Sequence, residues 1–126
     1  MELIIGGAYQ GKCEFAKNKY GFRDADIIDC AGQDDVIDFG APCVCSLEEY
    51  VWHAVGEDKD AVSELKSHRE EWRNTVFICT DISSGVVPMG AKNRLWREEV
   101  GKLCSYLAGE ADAVYRVFCG IGVRIK

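Results

Sequence analysis

No apolar run in this sequence approaches the ~20 residues that a bilayer's hydrocarbon core requires, so no membrane partner is expected. The start Met1-Glu2-Leu3-Ile4-Ile5-Gly6 lacks a basic leader, and its apolar stretch is too short for a signal peptide; the expected location is cytoplasmic. Basic excess is missing as well. With 15 Lys and Arg against 21 Asp and Glu, the net charge is −6, which disfavours nucleic-acid backbones as partners and makes any phosphate site a local one. Internal repeats, linkers and low-complexity segments are absent, and 126 residues suffice for one domain around one core. A finger-type metal pattern is absent too. Its nearest approach is Cys43-Val44-Cys45, read as two thiols on opposite faces of a strand with no second Cys/His pair at the right distance, so no metal site is assigned.

What is present is a hydrophobic fraction of 48% and seven cysteines, several of them in apolar strand-like runs where a reduced thiol serves as a small hydrophobe. Leu3-Ile4-Ile5 is a short continuous apolar run that stops at two glycines, and Lys12 to Tyr20 has helical composition closed by Gly21. Residues 26–30 and 42–45 read as two further strands. Ser46 and Glu49 have capping-box spacing and predict a helix to about Val55, and Asp58 is the expected cap of a polar helix running to about Arg73. Residues 75–80 form the most strand-like run. After the loop that follows, the apolar spacing of Leu95, Trp96, Val100, Leu103, Cys104 and Leu107 predicts a helix over 92–108, ended by Gly109, with Glu98 and Lys102 paired on its outer side. Residues 113–118 and 122–126 flank Cys119-Gly120-Ile121 as a closing hairpin. Strands alternating with helices predict an α/β, three-layer fold like that of P-loop NTPases, with a mainly parallel sheet and an antiparallel C-terminal edge hairpin.

The order strand, glycine loop, helix frames the candidate site. Gly6-Gly7-Ala8-Tyr9-Gln10-Gly11-Lys12-Cys13 satisfies the first seven positions of the phosphate-loop pattern, in which successive backbone N–H groups wrap phosphates and the lysine reaches the terminal ones. At average glycine usage of about 7%, a Gly/Gly/Lys match arises by chance in roughly one chain of this length in thirty, so context adds the weight. The eighth position departs: Ser or Thr would offer Mg²⁺ a hard hydroxyl oxygen, whereas Cys13 offers a soft sulfur. A tight glycine turn without a ligand is the bland alternative.

At both ends the sequence resembles the adenosylcobinamide kinase/adenosylcobinamide-phosphate guanylyltransferases of cobalamin biosynthesis. The start is similar to that family's Gly-Gly-Ala-Arg-Ser-Gly-Lys-Ser loop, with Tyr9, Gln10 and Cys13 as departures. Gly85-Val86-Val87-Pro88, Asn93-Arg94-Leu95-x-Arg97 and residues 117–126 resemble the family's Gly-Ile-Val-Pro, Asn-Arg-Leu-x-Arg and Ser-Gly-Ile-Gly-Val-Lys-Ile-Lys blocks. The resemblance implies GTP or ATP as nucleotide, with or without Mg²⁺, a corrinoid acceptor, and assembly as a homo-oligomer, a trimer. It implies Lys12 on the β- and γ-phosphates, the Gly7 to Cys13 amides as the anion nest, and Asp81 at the end of a strand as the acidic catalytic residue that holds magnesium through water, with capping of the following loop as its equal alternative role. Arg94 and Arg97 are placed for a phosphate or an adjacent subunit. The chain is shorter than the family's members in the middle, where the resemblance implies loss of the loop bearing the histidine that accepts GMP. Only His53 and His68 remain, neither in that context. The expected function is NTP-dependent phosphorylation of cobinamide without an evident guanylylation step; the alternative is a non-catalytic binding or regulatory relative that keeps the fold.

Overall fold

The structure is a computed structural model that describes residues 1–32, 37–82 and 90–126. Six strands form one sheet: β1 (Glu2–Gly6), β2 (Ile27–Asp29), β3 (Cys43–Cys45), β4 (Val76–Thr80), β5 (Ala113–Phe118) and β6 (Ile121–Arg124). Their order is β2-β3-β4-β1-β5-β6, parallel throughout except for the β5–β6 edge. The helices are α1 (Lys12–Tyr20), α2 (Leu47–Gly56), α3 (Ala61–Ser67) and α4 (Ala91–Glu110). The arrangement is the three-layer, mainly parallel α/β fold expected from the alternation of elements.

The apolar run of β1 is explained by its central place. Leu3 packs into the core beneath α2, α3 and α4, while Ile4 packs into the smaller cluster beneath α1, so both faces of the strand exclude water. β4 does the same with Phe77 and Ile78. Trp72 anchors the larger core: its indole N–H donates to the Leu65 carbonyl at 2.8 Å, and its ring meets Phe77 edge-on at 5.8 Å. Thr75 enters β4 with its hydroxyl within 2.8 Å of the Ala41 carbonyl, holding the segment before β3 against the sheet.

Several expectations need correction. Cys43 and Cys45 lie on the same face, against α1, while Val44 faces the other way, because alternate residues of a strand share a face. The Ser46/Glu49 capping box does not form: Ser46 is left-handed at φ 55° with no side-chain cap bond, and only its carbonyl accepts from the Glu49 N–H. The cap of α3 is Asp60, whose carboxylate accepts from the Ser63 N–H at 3.1 Å; Asp58 sits at φ 58°, and the helix ends at Ser67 rather than near Arg73. Gly109 falls inside α4, whose last residue is Glu110. The closing hairpin is tighter than expected, with Cys119 and Gly120 both at positive φ in a two-residue turn. The Glu98–Lys102 pair is present at 3.7 Å, with Glu99 at 3.1 Å from the same ammonium.

Candidate functional site

The end of β1 and the start of α1 bracket the glycine loop as the sequence requires. Gly6 closes β1 because its neighbour leaves no room: a Cβ there would stand 2.5 Å from the Val117 carbonyl oxygen of β5. The chain then turns through Tyr9 (φ 58°), whose side chain is fully exposed, and Gly11 (φ 85°), and enters α1 at Lys12. Two left-handed residues in one short loop bend successive backbone N–H groups around a concavity at a helix start, the arrangement that binds anions.

Lys12 is 8% exposed, and its ammonium donates to the Gly7 carbonyl at 2.6 Å, so the side chain folds back across its own loop. An ammonium has three donors and this bond uses one, leaving capacity for phosphate oxygens. Gln10 ties the loop to the far edge of the sheet: its side-chain oxygen accepts from the Cys119 N–H and its carbonyl from the Gly120 N–H, each at 2.7 Å. The hairpin turn thereby buttresses the loop. On the other side of α1, Phe15 packs on Tyr115 at 5.7 Å and lies so close to Gly122 that any side chain there would strike its ring.

A cleft of about 250 Å³ opens beside the loop, lined by Tyr9, Gln10, Gly11, Lys12, Cys13 and Glu14 with Ser46, Ile78 and Thr80 from the neighbouring strand ends. Ser46 and Thr80 are contributors that sequence reasoning missed. Ser46 carries a capping signal that masks its other use, and Thr80 reaches the loop only through the β1–β4 register, which sets it opposite Gly6. Behind them, Glu48 is buried in the first turn of α2 and its carboxylate accepts from the Thr80 N–H at 2.9 Å. Burial pushes its pKa up, since an ionised carboxylate loses water that hydrogen bonds from the Thr80 N–H and hydroxyl and from its own backbone N–H only partly replace.

The expected site residues divide between two places. Gly6, Gly7, Ala8, Tyr9, Gln10, Gly11, Lys12 and Cys13 run continuously from the end of β1 to the first turn of α1, and of these Tyr9 to Cys13 line the cleft. Asp81 does not line that cleft. Its backbone N–H donates to the Gly6 carbonyl at 2.8 Å, but it borders a second, smaller cleft of about 190 Å³ with Ile5, Ile82, Arg97, Val100 and Cys104. Arg94 is exposed on the first turn of α4. His53 lies on α2, and His68 ends α3, stacked on Phe39 at 4.3 Å and bonded to Glu71. Neither histidine lines the loop cleft. The Gly85–Pro88 block lies outside the described residues.

The donor set suits phosphate better than magnesium. Cys13 stands where the phosphate-loop pattern has a metal-binding hydroxyl, and its sulfur is a soft donor that magnesium disfavours. Among the described residues, no helix is long and apolar enough to cross a membrane.

A glycine loop joining the central parallel strand to a helix, with a buried lysine at the helix start, defines an α/β protein with the P-loop-like layout. The sequence matches the family of cobinamide kinase / cobinamide phosphate guanyltransferase over residues 44–125, about two thirds of the chain, and the protein belongs to that family. The family uses nucleoside triphosphates and corrinoid substrates in cobalamin biosynthesis. The matched span begins at β3 and ends past β6, so it takes in the hairpin that holds Gln10 but not the glycine loop itself. No curated protein matches the chain.

Proposed function

We propose that the Gly6–Cys13 loop binds the phosphates of GTP or ATP and that the protein transfers a phosphoryl group to the hydroxyl of a cobinamide-type corrinoid. The observation carrying this reading is Lys12, a nearly buried ammonium folded over a left-handed loop at a helix start. On binding, Lys12 exchanges the Gly7 carbonyl for β- and γ-phosphate oxygens, and the loop amides take the rest. Asp81 and Arg97 share the neighbouring cleft, which in this reading receives the acceptor. Because a thiol at the eighth position is a poor ligand for magnesium, the charge of the transferred phosphoryl group falls chiefly to Lys12 and the loop amides.

Titration calorimetry with GTP and ATP, with and without Mg²⁺, tests the nucleotide claim. Binding at millimolar nucleotide or below is expected, weakened about tenfold or more in Lys12→Ala, since a charged hydrogen bond contributes about 1.5–3 kcal/mol. Absence of both heat and thermal stabilisation in the wild type removes the claim. Cys13 and the separation of Asp81 from the loop cleft favour a second reading, binding without turnover. Nucleotide binding with no phosphorylated corrinoid product selects it. The exposed Phe118, Ile121 and Val123 along the hairpin edge support self-association, a trimer being what the family resemblance implies, and light scattering that shows only monomer removes that part.

A further inference from the structure

The thiol at the loop's eighth position has a partner that phosphate binding does not use. Cys13, in the first turn of α1, lines the loop cleft and is partly exposed. Cys45, the last residue of β3, is 3% exposed beneath it. Cys13 packs against the cluster that contains Cys43 and Cys45, and of its neighbours the Cys45 thiol acts most strongly on the Cys13 thiol. Both thiols are free, one open to the cleft and the other shielded in the cluster beneath α1.

We propose that Cys13 and Cys45 form a peroxide-reactive dithiol, a modification site at which Cys13 is the attacking sulfur and Cys45 the resolving one. The Cys13 thiolate attacks one oxygen of a hydroperoxide and the O–O bond breaks. The leaving oxygen takes up a proton and departs as water or an alcohol, and Cys13 becomes a sulfenic acid. The Cys45 sulfur then gives up its proton and attacks the Cys13 sulfur; the S–O bond breaks, hydroxide leaves with that proton as water, and the S–S bond forms. Two thiols lose two electrons and two protons, and one peroxide is reduced. The product fastens the first turn of α1 to β3 and removes an ionisable thiol from the wall of the anion cleft.

The surroundings divide the two roles. The Cys45 thiol, with help from the charges of Lys12 and Lys17, outweighs burial and the Asp29 carboxylate and holds the Cys13 pKa at about 7. The same interaction and burial push Cys45 upward. On the opposite face of the sheet Cys79 likewise pulls the Cys104 pKa down, but against burial and the carboxylates of Asp81 and Glu48 and without the lysines that flank Cys13. Cys119, exposed at the hairpin turn, provides an unpaired reference thiol in the same molecule.

The test treats the fully reduced protein with one equivalent of hydrogen peroxide near neutral pH, alkylates the remaining thiols, and maps the peptides by mass spectrometry. The expected product links the Cys13 and Cys45 peptides, is reversed by a dithiol reductant, and is absent in Cys13→Ser. In Cys45→Ala the reaction stops at a sulfenic acid on Cys13 that a 1,3-diketone traps. Before oxidation, Cys13 takes up iodoacetamide several-fold faster than Cys119 near neutral pH. A Cys79–Cys104 link formed first, a Cys13 that alkylates no faster than Cys119, or recovery of both Cys13 and Cys45 as alkylated thiols overturns the proposal. Each readout is independent of nucleotide binding, so failure here and failure of the functional reading are separable.

Discussion

Beneath α2, α3 and α4 the buried side chains are large: Trp72, Phe77, Leu47, Leu65, Leu103 and Leu107. Beneath α1 they are fewer and mostly smaller: Ala16, Cys43, Cys45 and Val76 with Ile4 and Ile78. The candidate site sits on the second face. Since apolar burial scales with area, most of the stabilisation comes from the first face, and α1 is left free to present a loop whose backbone is bent for anions rather than for packing.

Four substitutions break or sharpen that contrast. Phe77→Ala opens a cavity in the larger core and is expected to cost about 3–5 kcal/mol in urea unfolding, enough to threaten folding of the whole chain. Gly6→Ala acts on the other face: its Cβ meets a backbone oxygen that cannot rotate away, so the β1–β5 spacing must give, at about 1–3 kcal/mol, and nucleotide affinity falls with it. Gln10→Ala removes the side-chain acceptor of the Cys119 N–H and should cost about 1 kcal/mol or less, while weakening nucleotide binding measurably, because the exposed turn can bond water but the loop loses its buttress.

Glu48→Gln has the smallest expected effect and the most specific signature. The folded pKa of Glu48 is raised above its ordinary 4.5, so the folded protein keeps that proton to higher pH than the unfolded chain does. Its contribution is therefore greatest below pH 4.5 and is lost as pH climbs through the raised folded value. Unfolding midpoints across that range should fall less steeply with pH in Glu48→Gln. An unchanged slope would show that the link from α2 to Thr80, which crosses from the large core to the site, has no electrostatic cost.

The reading of α1 from Lys12 to Tyr20 and its Gly21 stop matches the structure residue for residue, because the N–H of left-handed Gly21 closes onto the Lys17 carbonyl, a signal contained within the helix itself. The reading of Ser46 and Asp58 failed for the complementary reason. Both residue types offer caps anywhere, and which one caps depends on how α2 and α3 approach the sheet. Cys43 and Cys45 share a face because alternate residues of a strand do, whereas it takes the packing of α1 on that face to bring Cys13 to them.

By itself the sequence determined the elements, their alternation and the continuous loop Gly6–Cys13, since those depend on neighbours along the chain: glycine's access to positive φ, apolar runs, and a lysine at a helix start. Tertiary structure alone decided that Thr80 and Ser46 would complete the cleft, that Gln10 would grip the hairpin turn across 109 residues, that Asp81 would fall outside, and that Cys13 would meet Cys45. Those placements depend on strand order and register, and a parallel sheet brings together strand ends that the chain itself keeps far apart.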